Sequence, residues 1–287
     1  MLDLTLSVLC SSLIFVIFKL FDTYKVQTLY AIVVNYITAC VTGLLLYPAP
    51  ISLQNITAQS WFGPTAALGI LFILIFNIMA KSSQINGVGV TSVATKMSLV
   101  IPVLFAVLFY KDVLSTWQVL GVFLALGAVY LASIKKKGTP ANSNFIWLPI
   151  VVFLGSGIID TSIKYIQDTY LQNGQYPIFS STVFGAAATT GLLFIVYKSI
   201  RGSFKVNFRN IVGGICLGVP NYFSIYFLLR ALNHDSLNSA SVFTINNVAI
   251  VMFSTILGIL LFKERLSTKN WIGILVAIIS ILLVALF

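Results

Sequence analysis

Ten apolar stretches of about 20 residues each follow one another along this 287-residue chain. The hydrocarbon core of a bilayer is about 30 Å thick, and one helix needs about 20 apolar residues to cross it. Strands of a membrane barrel would instead alternate apolar and polar residues over about ten positions. The sequence therefore predicts an all-α polytopic membrane protein with ten transmembrane helices. The runs cover residues 4–20, 29–47, 61–80, 91–109, 116–134, 145–166, 177–198, 211–232, 239–262 and 268–287.

The links between the runs are short, and only 8% of the residues are charged, against about 25% in a typical soluble domain. Almost no chain is left for a soluble domain, so we expect the function to lie in the membrane bundle. The three cysteines show no CxxC spacing, and the one histidine is His234. These residues suggest neither a metal site nor a disulfide framework, and we expect no cofactor.

The basic residues are distributed unevenly between the links. If ten helices alternate in direction, thirteen Lys and Arg residues fall in the links after the first, third, fifth, seventh and ninth runs or at the run ends that adjoin them, and three fall in or near the links on the other side. Cytoplasmic loops carry the excess of Lys and Arg. We therefore expect a multi-pass protein of the cell (inner) membrane with cytoplasmic basic loops and both termini outside. The net charge of +10 is then a topology signal, with lipid head groups as an alternative partner and no nucleic acid.

Two phrases occur twice in the same order. "YKDVLSTWQVLG" at 110–121 matches "FKERLSTKNWIG" at 262–273, and "LCSSLIFVIFK" at 9–19 parallels "LGSGIIDTSIK" at 154–164. Each half of the chain, 1–137 and 138–287, then holds five helices. Because five is odd, the second half enters the membrane inverted, a plan in which the substrate site lies near the midplane between the repeats. The alternative is that helix ends of similar composition look alike.

The paired phrases, the five-plus-five layout and the proline in "SLVIPVLFAVLFYKD" resemble the ten-helix EamA-type transporters of the drug/metabolite transporter superfamily. The resemblance covers essentially the whole chain. It implies a secondary transporter that works by alternating access, with substrates that differ widely among relatives. One departure is that Ser254 stands in the ninth run where Pro102 stands in the fourth.

Polar residues far from the ends of membrane helices are candidate functional groups. At about 100° per residue, two polar stripes form on the fourth and ninth runs, and we expect them to face each other across a cavity. We also expect Pro102 to leave the carbonyl of Ser98 without its helical donor. The alternative role of these residues is hydrogen bonding between helices. The stripes are Thr91, Thr95 and Ser98 on the fourth run, and Ser241, Thr244 and Asn247 on the ninth, with Asn246 pointing elsewhere.

Two charged residues lie inside the runs. Lys96 is a candidate counter-charge for an anionic substrate or a carboxylate, although its long side chain also allows it to reach the interface. Asp160 lies four residues before Lys164, a spacing typical of a structural ion pair on a helix. Its functional alternative is a proton-coupling carboxylate.

The eighth run carries a further polar group next to a proline. Pro220 is followed by Asn221, Tyr222 and Tyr226, a pattern typical of a helix wall with exposed polar groups. Asn35 and Tyr36 in the second run are additional candidates for contact with substrate. The pair Gly214 and Gly218 forms a GxxxG motif, which favours close approach of a neighbouring helix.

These features favour a secondary transporter of a small polar metabolite, an amino acid or similar, that acts as a monomer or homodimer. The chain has no HExxH, no Walker A motif and no paired intramembrane aspartates, so catalysis and ATP hydrolysis are not expected. The alternative function is a flippase for a lipid-linked sugar or another amphipathic substrate, which could use the same inverted bundle.

Overall fold

The computed structural model of the chain describes residues 2–47, 53–111, 114–134, 146–171, 175–200, 207–232 and 239–286. Within these ranges every regular element is helical. The helices are α1 (Leu2–Thr23), α2 (Thr28–Leu45), α3 (Leu53–Thr57), α4 (Phe62–Asn86), α5 (Val88–Met97), α6 (Val100–Tyr110), α7 (Thr116–Ser133), α8 (Trp147–Tyr170), α9 (Tyr176–Ile200), α10 (Phe208–Leu232), α11 (Ser239–Phe262) and α12 (Thr268–Leu286).

The prediction of ten transmembrane helices is confirmed. Among the described residues, ten helical segments are long and apolar enough to cross a membrane, with α5 and α6 together forming one of them. Helices satisfy their own backbone hydrogen bonds, which hydrocarbon cannot do for them. Their outward faces carry large apolar side chains such as Leu45, Leu108, Phe123 and Leu193, as a surface in contact with lipid tails requires.

The sequence suggested one helix for the fourth run, but the structure divides this run into two helices. α5 ends at Met97 and α6 begins at Val100, because Pro102 has no amide to donate to the carbonyl of Ser98. That carbonyl is not left free, contrary to expectation: the amide of Ile101 donates to it at 2.9 Å. In the second half, α11 continues unbroken through Ser254.

The two repeated phrases fold into matching elbows. Ser115 caps α7 in a capping box, since its hydroxyl accepts from the amide of Gln118 and its amide donates to the Gln118 side chain. Ser267 and Asn270 make the same reciprocal pair before α12. Just before each elbow, Lys111 and Lys263 adopt a left-handed backbone, with φ of 57° and 52°.

α7 and α12, which occupy equivalent positions of the two halves, pack against each other in an antiparallel arrangement. Gly121 near the start of α7 contacts Ser280 and Val284 near the end of α12, whereas Gly273 near the start of α12 contacts Ala132 near the end of α7. Ser280 also donates to the carbonyl of Gly121 at 2.7 Å. Equivalent helices that run in opposite directions are consistent with two inverted repeats.

The two halves also interlock through α10. This helix continues through Pro220 and packs on α1 and α2 of the first half. Gly214 and Gly218 lie directly against the backbone of α2, at the carbonyls of Ala31 and Asn35, so the predicted role of the GxxxG motif is confirmed.

One end of the bundle is called the lysine-rich end below. There α1, α4 and α11 end, α2, α5, α8 and α12 begin, and Lys19, Lys81 and Lys263 are located.

Candidate functional site

The break between α5 and α6 places a hydroxyl group opposite a carboxylate of α8. The Ser98 Oγ lies 2.6 Å from the carbonyl oxygen of Thr95 and 3.2 Å from Oδ2 of Asp160. A serine hydroxyl has one proton to donate, so these two acceptors share it. Ser98 itself is fully buried. The turn therefore brings α5 and α8 into polar contact at Ser98. This contact lies about 15 Å along the helix axis from the start of α5.

Asp160 lies about 20 Å along α8 from Trp147, well inside a bilayer core. The apolar face of α8 includes Leu154 and Ile158, each 49% exposed. Asp160 follows Ile158 by two positions, so its side chain points about 160° away from that of Ile158 around the helix axis. The Asp160 side chain is nevertheless exposed. Its accessible surface therefore opens into the bundle, next to Ser98, rather than toward lipid.

Lys96 supplies the positive charge that acts on Asp160. The two charges interact electrostatically, although among the described residues no ion pair of 4.0 Å or less joins them. The alternative in which Asp160 pairs with Lys164 is wrong, because Lys164 bonds instead to Asp168 at 3.0 Å on the exposed end of α8. Lys96 is half-buried, so the interior holds a lysine and a carboxylate without direct contact.

The other residues of the predicted α5 stripe have different environments. Thr91 is fully buried, and its hydroxyl bonds to Ser82 at 2.8 Å and to the carbonyl of Gly87 at 2.9 Å. The Thr95 side chain is half-buried, and its hydroxyl donates to the carbonyl of Thr91. Of the two, Thr95 is therefore the one with accessible surface.

On α11, Asn247 is half-buried whereas Thr244 is buried. The side chain of Ser241 lies outside the described residues. The sequence placed Asn246 off the polar stripe, but this residue is only 2% exposed and its Oδ1 has no hydrogen-bond partner among the described residues. A single predicted stripe missed it because α11 contacts α1, α5, α10 and α12, so more than one of its faces is enclosed.

A second polar group lies between α2 and α10. The Asn221 Nδ2 donates to Oδ1 of Asn35 at 3.1 Å, and both residues are buried. The Nδ2 of Asn35 has no hydrogen-bond partner in the described part of the chain. Tyr36 is fully buried and donates its hydroxyl to the carbonyl of Phe72, which gives it a packing role. Within the described part of the chain, no hydrogen bond joins this group to Ser98, Lys96 or Asp160.

An aromatic series leads from this asparagine pair toward the opposite end from the lysine-rich end. Tyr222 stacks on Tyr226 with ring centroids 6.1 Å apart. The guanidinium of Arg230 lies 5.8 Å from the ring of Tyr226 and 3.5 Å from the carboxylate of Asp3. This ion pair links the end of α10 to the start of α1.

At the lysine-rich end, side chains of α1, α4, α5 and the second elbow hold the helices together. The backbone amide of Val88 donates to the carboxylate of Glu264 at 2.9 Å, and Lys19 donates to the carbonyl of Gln84. Burial raises the pKa of the Glu264 carboxyl above its ordinary value, opposed by the Val88 amide and by the charge of Lys19. Ser83 adds a bond to the carbonyl of Phe15 at 2.9 Å.

The arrangement provides hydrogen-bonding groups and charge within the bundle. Within the described ranges, no three His, Cys, Asp or Glu side chains lie close enough to hold a metal ion. The Asp160 carboxylate offers hydrogen-bond acceptors and a place for a proton, and Lys96 offers a donor. Both have accessible surface within the bundle, as a ligand arriving from water would need.

Comparison with known proteins assigns this bundle to a family. The model of the sugar transport protein family matches residues 68–287. A Haemophilus influenzae protein named "Uncharacterized protein" is 30% identical over 285 residues, which is 97% of this chain and 96% of that protein. The "Probable glucose uptake protein GlcU" of Staphylococcus aureus strain MRSA252 is 25% identical over 221 residues, 72% of this chain and 70% of that one.

A solved structure described only as "Crystal structure of protein" has the same fold. The two match with a TM-score of 0.62 at 14% sequence identity, over 99% of this chain and 96% of the other. At this identity the match supports the arrangement of helices alone.

Proposed function

The chain belongs to the sugar transport protein family, and we propose that it carries a hexose such as glucose across the bilayer by alternating access. It is a membrane transporter and not an enzyme. The observation that supports the proposed site best is the accessible carboxylate of Asp160 beside Ser98 and Lys96, deep within the bundle. Ten spans and antiparallel equivalent helices also support the proposal that the wider grouping is the drug/metabolite transporter superfamily.

A sugar fits this site better than the amino acid or similar metabolite that was expected from the sequence. Sugars are neutral and rich in hydroxyl groups, so they need carboxylate and amide acceptors together with donors. Asp160, Lys96, Thr95 and Asn247 provide such groups on half-buried or exposed side chains. The relative named for glucose uptake supports the same class of substrate.

We propose that Asp160 also binds the coupling proton. With Lys96 charged and Asp160 ionised, the site is neutral overall. Protonation of Asp160 leaves one net positive charge in a region where an uncompensated charge costs about 2.5–3.5 kcal/mol. Protonation would also weaken the hydrogen bond that Asp160 accepts from the Ser98 hydroxyl, whose other acceptor is the carbonyl of Thr95. Both changes alter the contact between α5 and α8.

In the proposed cycle, the contacts of the lysine-rich end break when the site opens to that side. Glu264 and Lys19 would then separate from Val88 and Gln84. We propose that this end faces the cytoplasm of an inner membrane and that both termini lie outside, as the distribution of Lys and Arg suggests. The inversion of residues 138–287 relative to 1–137 would make the two openings equivalent.

The test is uptake of labelled glucose into proteoliposomes, with competition by other hexoses, amino acids and a polyprenyl-linked sugar. We expect saturable uptake that hexoses inhibit and amino acids do not. Lys164→Met, which removes only the exposed ion pair with Asp168, serves as the matched control and should transport like the wild type. Inhibition by amino acids, or uptake confined to the lipid-linked sugar, would overturn the proposal.

A further inference from the structure

A cavity of about 550 Å³ opens at the lysine-rich end between α1, α2, α4 and α8. Small-molecule sites span about 300–1,000 Å³, so this volume is large enough for a monosaccharide with water. The polar side chains that line it are Asp22, Thr28, Asn77, Lys81, Gln84 and Trp147. None of these belongs to the site built around Asp160.

Two of the lining residues present acceptors that the protein leaves unused. The Nδ2 of Asn77 donates to the carbonyl of Ile73 at 2.7 Å, whereas its Oδ1 makes no hydrogen bond with any described residue. The carboxylate of Asp22, at the end of α1, likewise accepts none from the described chain. Gln84, in contrast, is held in place, because its Nε2 donates to the carbonyl of Phe18 and to the hydroxyl of Thr28.

The rest of the lining is apolar or aromatic. Ile78, Ile85 and Leu148 contribute apolar walls, and Trp147 is 47% exposed. Side chains that combine fixed acceptors with an aromatic face suit a ring that carries hydroxyl groups on its edge and C–H groups on its face. Asp22 and Lys81 place one negative and one positive charge in the lining, so the cavity carries no net charge that would select an anion.

The cavity lies at a different depth from the central site. Asn77 is about 14 Å along α4 from the lysine-rich end, and Asp160 is about 20 Å along α8 from the same end. The bonds of Gln84 and Ser83 to α1, and the bond of Lys19 on α1 to the carbonyl of Gln84, lie beside the cavity. A solute that leaves the central site toward the lysine-rich end would meet the cavity when those bonds open.

We propose that this cavity is a second hexose-binding site on the transport route, on the side of the lysine-rich end. The identity of the ligand rests on the proposed function, whereas the existence of the site rests on the cavity and its unused acceptors. Asn77 and Asp22 accept hydrogen bonds from hydroxyl groups of the sugar, and Trp147 covers an apolar face of its ring.

The test is a glucose titration of tryptophan fluorescence on the full chain in lipid nanodiscs. We expect a saturable change that is lost in Trp147→Phe and kept in Trp117→Phe, whose ring lies on α7. Asn77→Ala should raise the midpoint about 3- to 10-fold, as loss of one hydrogen bond does, and Asp22→Asn should raise it as well. Asp168→Asn, at the opposite end of α8, should leave the midpoint unchanged.

An unaltered midpoint in both Asn77→Ala and Asp22→Asn, with the variants folded as judged by thermal unfolding, would overturn the second site. This result is separable from failure of the proposed function. If glucose is taken up but the titration midpoint does not change when Asn77 or Asp22 is replaced, the proposed function is supported and the second site is contradicted. If no hexose is taken up but the midpoint of the fluorescence change depends on Asn77, the second site is supported and the proposed function is contradicted. Absence of both uptake and signal contradicts both.

Discussion

The α5–α6 segment and α11 occupy equivalent positions in the two halves, and they differ in backbone and in charge. α5–α6 is interrupted at Ser98, where the hydroxyl meets Asp160 of another helix. α11 is continuous, and Ser254 donates only to the carbonyl of Val251 in its own helix. At an offset of 152, Lys96 corresponds to Val248.

The difference indicates that the fourth and ninth membrane segments have similar positions but different chemistry. Pro102 and Lys96 give the fourth membrane segment a break and a positive charge, and α11 has neither. Asn246 and Asn247 give α11 neutral polar groups instead. This difference between the two segments is tested by three kinds of substitution. They remove the charge of Lys96, restore regular helix at Pro102, or weaken the contact of Glu264 with the start of α5.

The largest effect is expected for Lys96→Met, which makes this position as neutral as Val248. Asp160 then keeps its charge without a positive neighbour, at a cost of about 2.5–3.5 kcal/mol, or about 100-fold in uptake. The measurement is the initial rate of glucose uptake in proteoliposomes. Adding Asp160→Asn to Lys96→Met should restore thermal stability, since it removes the unpaired charge. If uptake by Lys96→Met equals that of Lys164→Met, the proposed role of Lys96 is wrong.

A smaller effect is expected for Pro102→Ala, which gives the first-half helix the continuity of α11. The new amide can donate to the carbonyl of Ser98, so the turn should close into regular helix and Tm should rise. Withdrawal of Ser98 from Asp160 should slow uptake about tenfold, the equivalent of about 1.4 kcal/mol.

Ser254→Pro is the reciprocal change in α11. It should lower Tm without creating a second charged site, because Val248 offers no charge there.

A Pro102→Ala variant with unchanged Tm and unchanged uptake would show that the break has no role.

The smallest effect is expected for Glu264→Gln, at the contact between the second elbow and the start of α5. Because burial raises the pKa of Glu264 in the folded protein, the folded state binds this proton more tightly than the unfolded state does. Stability should therefore increase as pH falls through the folded pKa. Thermal unfolding between pH 5 and 8 should show this slope in the wild type and a flatter one in Glu264→Gln. A steeper slope in the variant would contradict the assignment.

Local patterns predicted the helices and elbows because their causes are local. Apolar length determines which segments cross a bilayer, and the Ser115–Gln118 spacing is enough to cap α7. The end of α4 was less predictable. It extends to Asn86, six residues past the apolar run, because Ser82, Ser83 and Gln84 bond to neighbouring helices.

The partner of Asp160 could not be derived from spacing. Lys164 lies four residues from both Asp160 and Asp168, so a helical pattern permits either pair equally. The structure selects Asp168, because Asp160 is turned toward Ser98 on another segment. A contact between helices of different repeats leaves no trace in the spacing along one helix.

The cavity at the lysine-rich end was also missed, although Asn77 lies inside the third apolar run and was visible as a polar residue there. Its significance depends on Asp22 and Trp147, which come from other helices. Sequence alone indicates that such a residue is costly in a membrane, but it does not indicate which neighbours surround it.

The central claim is that Asp160, held near Lys96 and Ser98, couples sugar movement to protons. The most direct measurement is glucose accumulation in proteoliposomes under an imposed pH gradient, comparing the wild type with Asp160→Asn and with Asp168→Asn as control. The account predicts accumulation above equilibrium for the wild type and Asp168→Asn, and equilibration without accumulation for Asp160→Asn. Gradient-driven accumulation by Asp160→Asn equal to that of the wild type would contradict it.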